Sequence, residues 1–161
     1  PLFEKAIEVW QQGDITYLVN ADPASHAAEF AEAHGPCAAS MGWRVVDAKH
    51  AFDHAVAKGA IPYDGDGKVM DVPAIHGIGG SLIYFIDQYR NNSPHNAEFG
   101  WIHNAYPGGV GFHYLDHLTH NVFRGNMDVW FRFYGDLFNF REIRFLKKPS
   151  RYGSRATSPI W

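Results

Sequence analysis

The sequence predicts an α+β fold built from βαβββ modules, and three patterns carry that prediction. Residues 38–87 read as a strand, a helix and then further strands, and residues 113–145 begin the same order again. The strands are β-branched or aromatic runs bounded by Gly, Pro, Asn and Asp. The helices show apolar residues three and four apart. Neither end of the chain completes a module, so the modules are expected to be truncated at both ends.

Taken in order, 7–10 and 15–19 are β-rich runs around Gln11-Gln12-Gly13-Asp14, a hairpin signal with glycine in the turn. They read as the tail of an earlier module. A helix follows to about Ala33, with Asp22 as N-cap and Pro23 at the first helical position, and Gly35-Pro36 stops it. A strand over 38–46 leads to Asp47, the N-cap of a helix over 48–58 that buries Ala51, Phe52, Ala55 and Val56 and closes at Gly59. Asp64-Gly65-Asp66-Gly67 resembles a calcium loop only superficially, because Lys68 stands where an acidic or Asn residue is required and Val69 where the glycine should follow, so it reads as a hairpin turn. Strands are then expected at 69–72, 74–76 and 81–87. Gly77-Ile78-Gly79-Gly80 leads into a strand rather than a helix, which makes it a turn or bulge and not a phosphate cradle.

Residues 88–112 are rich in Asn, Pro and Gly and divide the chain into 1–87, a linker over 88–112, and 113–161. In the last part, 114–122 reads as a strand, Arg124-Gly125-Asn126 as a turn and 127–138 as an amphipathic helix with Val129, Trp130, Phe133, Tyr134, Leu137 and Phe138 on its apolar stripe. A second strand starts at Arg141.

Composition narrows the function. An apolar content of 46% and an aromatic content of 16% belong to a packed protein rather than a disordered one. A net charge of −3 gives no basis for binding nucleic acid or an anionic membrane. The single cysteine, Cys37, cannot form an internal disulfide and reads as a small apolar residue, and no apolar run approaches the roughly 20 residues that cross a bilayer, so a cytoplasmic location is expected.

Most of the ten histidines lack a chelating context. On a strand over 114–122, Leu115, His117 and Thr119 share one face while Asp116, Leu118 and His120 share the other. His117 and His120 therefore cannot hold one ion together. A lone strand histidine is weak evidence for a metal, and His120 reads as a supporting or packing residue.

The motif 116–127, DHLTHNVFRGNM, followed by 133–145, FYGDLFNFREIRF, closely resembles the opening of the catalytic domain of the 4-hydroxyphenylpyruvate dioxygenase family. Residues 11–20, 34–48 and 73–87 resemble that family's N-terminal domain, collinearly. The resemblance implies the vicinal-oxygen-chelate fold, with 1–87 a non-catalytic domain and 113–161 the start of the catalytic one. It implies Fe(II) as cofactor, His117 as the first iron ligand, and a second His and a Glu beyond residue 161. It also implies a 2-keto acid substrate and O2, products homogentisate and CO2, and a homo-oligomeric complete protein; this chain alone is expected to be inactive. A local match of 154–159 to the family implies a substrate contact by Ser154, although the preceding basic stretch departs from the pattern. Superposing the 38–46 strand on the ligand-bearing one puts Met41 or a neighbour at the ligand position, and a thioether does not suit a hard iron(II) site. Hydroxymandelate synthase, which shares fold and metal, and a non-enzymatic ligand-binding module of the same fold are the alternatives.

Overall fold

The computed structural model describes residues 6–89, 99–100 and 109–142. Strands β1 (Ile7–Gln12) and β2 (Ile15–Asn20) form an antiparallel hairpin with Trp10 opposite Tyr17 and Gln12 opposite Ile15. Its two-residue turn needs a left-handed residue, which Gly13 supplies at φ 58°. Helix α1 (His26–His34) starts one turn later than the Asp-Pro signal predicts: Ser25 is the N-cap, its hydroxyl accepting the Ala28 N–H at 3.2 Å. Asp22 and Pro23 form the preceding turn, in which the Ser25 N–H and hydroxyl both donate to the Asp22 carbonyl. Tertiary contact decides between two plausible caps. Starting at Ser25 buries His26, whose N–H donates to Gly67 O at 3.1 Å.

The second sheet has the order β3 (Ser40–Arg44), β5 (Leu82–Ile86), β4 (Ala74–His76). The β3–β5 pair is parallel, joined by a crossover through helix α2 (Ala48–Ala57), and the β4–β5 pair is antiparallel. Asp47 caps α2 as expected, accepting the His50 N–H at 2.8 Å, while Asp87 accepts the Ala48 N–H at 2.9 Å and ties the helix start to the end of β5. In the place of the remaining strand of the βαβββ order, residues 61–63 make only an isolated bridge. Pro62 bridges to Ile75, the Tyr63 N–H donates to Ala74 O and the His76 N–H donates to Ile61 O, both at 2.9 Å. Residues 69–72, expected as a strand, are irregular; they tuck Met70 under the sheet and donate the Val69 N–H to the Tyr84 hydroxyl at 3.1 Å.

All five residues of β5 are buried because it is paired on both edges and covered on both faces. Ile83 and Phe85 pack with Ala48, Ala55, Ala60 and Ile75 on the α2 side, and Leu82, Tyr84 and Ile86 pack with Met70 and Ala74 on the other. Helix α3 (Met127–Phe138), with the bounds its stripe predicts, adds Tyr134 and Leu137 to the α2 side. Trp43 of β3 meets its end in a ring contact with Phe138 at 4.5 Å between centroids, and Phe140, just past the helix, stacks on Trp43 at 5.0 Å.

Residues 114–122, expected as a strand, take no regular secondary structure. Strand backbone needs a neighbour for its N–H and C=O groups, and no described strand runs beside this one. Cys37 is exposed rather than a packing residue. The second strand expected from Arg141, most of 88–112 and all of 143–161 lie outside the described residues. Among the described residues no helix is long and apolar enough to cross a membrane. Phe85→Ala is expected to destabilise the protein by about 3–5 kcal/mol in urea unfolding, because the cavity opens in the sheet's central strand; a loss below about 1 kcal/mol would place the core elsewhere.

Candidate functional site

His117 lies on an irregular segment whose ends are held to the folded body. At one end the Gln12 amide reads the chain on both sides, its Oε1 accepting the Val110 N–H at 3.2 Å and its Nε2 donating to Phe112 O at 3.1 Å. Gly13 sits against the same backbone, where a Cβ would come within 3.4 Å of His113 O. At the other end His120 Nδ1 lies 3.2 Å from the buried Tyr134 hydroxyl, with the rings edge to face at 5.7 Å. With the hydroxyl donating, Nδ1 accepts and the imidazole proton sits on Nε2.

Between these anchors the His117 side chain is 64% exposed, and its Nδ1–H donates to Asp116 Oδ2 at 2.7 Å. On a paired strand these neighbours would point to opposite faces; here the irregular backbone lets them meet. The contact fixes the tautomer that leaves the Nε2 lone pair free, the state in which an imidazole can ligate a metal while a carboxylate orients it. One such imidazole fits one position of a two-His, one-carboxylate iron site. Among the described residues no group of three His, Cys, Asp or Glu converges on a metal position.

Burial holds the His120 pKa below its ordinary value and the Tyr134 phenol above its own, so this pair is neutral at neutral pH. Met41 is half-buried against the apolar core on the α2 side, where its thioether is a packing atom. Ser154 lies outside the described residues.

Sequence reasoning missed a second histidine cluster. Buried His26 meets the rings of Tyr63 at 5.3 Å and His76 at 6.5 Å and donates from Nε2 to Gly80 O at 2.9 Å. His34 of the same helix donates to Gly79 O at 3.1 Å. Gly79 and Gly80, with φ of 64° and 86°, turn their carbonyls toward these imidazoles, so the glycine-rich turn is a fastening for α1. No spacing in the sequence signals it, because its partners are brought together only by the fold. An open cleft of about 550 Å³ beside α2 and α3 is lined by Trp43, Phe138 and Phe140 with Arg44, His54 and Lys58, and does not reach His117.

Residues 3–100 match the family model described as hydroxyphenylpyruvate dioxygenase, N-terminal. A 4-hydroxyphenylpyruvate dioxygenase of Legionella pneumophila (strain Corby) is 46% identical over 140 residues, covering 86% of this chain and 40% of that protein. Hemolysin VllY of Vibrio vulnificus is 47% identical over 146 residues, covering 86% of this chain and 41% of that protein. Among solved structures, a xylose isomerase-like TIM barrel/4-hydroxyphenylpyruvate dioxygenase fusion protein superposes with a TM-score of 0.76 at 32% identity, over 86% of this chain and 22% of that one. The chain spans about two-fifths of the length of the curated relatives it matches.

Because His120 resists protonation when folded but not when unfolded, its contribution to stability is intact above about pH 6.5 and is lost as pH falls below that value. His120→Asn removes this titration. The fall in melting temperature between pH 7.5 and 5.5 is expected to be smaller in the variant; equal falls would show that His120 titrates as a solvent-exposed group.

Proposed function

Since the chain belongs to the hydroxyphenylpyruvate dioxygenase N-terminal domain family, we propose that it is part of an iron(II)-dependent dioxygenase. The fold is the vicinal-oxygen-chelate one. The complete protein converts 4-hydroxyphenylpyruvate and O2 to homogentisate and CO2, a step of tyrosine catabolism in the cytoplasm. The observation that carries this reading is the 46% identity to the Legionella dioxygenase over 140 residues, a span that leaves little of this chain outside the likeness.

Within that enzyme, 1–87 is the non-catalytic domain, 88–112 the linker and 113–161 the start of the catalytic domain. His117 supplies one iron ligand through Nε2, and Asp116 holds its Nδ1–H, which is supported by their 2.7 Å contact. A second His and a Glu come from outside this chain, and Ser154 contacts the substrate. Iron(II), when bound, supplies open coordination positions for the 2-keto acid and O2 and the electrons that activate oxygen. The chain's own contribution is to set the His117 imidazole in one tautomer and to tie the segment that carries it to α3, whose aromatic stripe is packed on β3 and α2. A likeness to 4-hydroxymandelate synthase from Streptomyces coelicolor, TM-score 0.57 at 20% identity, bears on the fold alone and gives no preference for that product.

In the complete protein, His117→Ala is expected to weaken iron(II) binding at least about a hundredfold and to abolish oxygen uptake with 4-hydroxyphenylpyruvate. Anaerobic iron titration and an oxygen electrode check it. Wild-type uptake in the variant would remove His117 from the metal site.

A further inference from the structure

We propose that Tyr134 and His120 are positioning residues for His117, and that their hydrogen bond fastens the metal-binding segment to helix α3. The inference rests on the dioxygenase reading. It comes from the way the segment touches the rest of the molecule. Across the described residues 109–126, only His120 and Val122 are shielded from solvent, and every other residue is exposed. His120 also makes the segment's side-chain hydrogen bond to α3, at 3.2 Å.

Its partner is fixed. Tyr134 is 9% exposed and stacks on Trp43 at 6.0 Å and Phe140 at 5.7 Å between ring centroids, so the hydroxyl stands at a set point on the helix. Three residues of extended chain reach roughly 10 Å, so anchoring His120 confines His117 to that distance from it. Gln12 limits the other end through Val110 and Phe112. The bond is also costly to break on one side only, because a partly buried imidazole nitrogen then has no partner.

The test uses the protein expressed from its complete reading frame, with Co(II) in place of iron(II), and reads metal affinity and the d–d absorption bands. Thermal unfolding of each metal-free variant is read in parallel. Tyr134→Phe removes one oxygen, and His120→Leu removes the acceptor. His120→Asn puts an amide oxygen close to where Nδ1 stood. Tyr134→Phe and His120→Leu are expected to weaken Co(II) binding about tenfold and to shift the bands, while His120→Asn keeps both near wild type. A role in stability alone would lower the melting temperature and leave affinity and bands unchanged. That result, or His120→Asn failing as badly as His120→Leu, overturns the proposal while wild-type Co(II) binding leaves the dioxygenase reading standing. A wild-type protein that binds no Co(II) defeats the dioxygenase reading, and the positioning role falls with it.

Discussion

Burial of β5 on two faces and two edges is the constraint from which the rest of the molecule follows. Its five apolar residues have no solvent-facing side, so an element must cover each face. α2 and α3 supply one cover, and the loop carrying Met70, with Tyr63 and Leu18, supplies the other. Each fully buried large side chain in that strand contributes about 1.5–3 kcal/mol of apolar transfer. Exposed ion pairs such as Lys49 with Asp53 contribute far less.

The aromatic seam between β3 and α3 transmits this order to the functional segment. Trp43, Tyr134, Phe138 and Phe140 lock the helix to the sheet, and the helix then offers the Tyr134 hydroxyl to His120. A rigid body thus holds His117 on a segment that has little packing of its own. The hairpin serves the same end from the opposite side, with Gln12 holding the backbone at Val110 and Phe112 while Arg44 donates to Asp14 O at 3.0 Å and ties the turn to β3.

What was legible in the sequence was what local chemistry decides. The Gly13 turn, the Asp47 cap, the apolar run of β5 and the bounds of α3 all follow from conformational freedom, capping and periodicity. What was not legible depends on distant partners. Asp22 and Ser25 are both good caps, and burial of His26 chose between them. The isolated bridge at 61–63 contains Pro62, a poor strand residue that is tolerated here because Tyr63 and His76, and not Pro62, donate the pairing N–H groups. The alternating pattern of 114–122 is a strand pattern without a described neighbour to pair with. At the site, the motif around His117 carried the functional reading through family resemblance, whereas the Tyr134 contact and the His26 cluster emerged only from the fold.

A structure of the complete protein with Co(II) bound tests the central claim most directly: that the metal is held by the segment fastened to α3 and not by the β3–α2–β4–β5 unit. The account predicts a single metal whose inner shell contains His117 Nε2, with Asp116 on Nδ1 or replaced there by another carboxylate or carbonyl. A metal bound without His117, or one seated among His26, Tyr63 and His76, would contradict it.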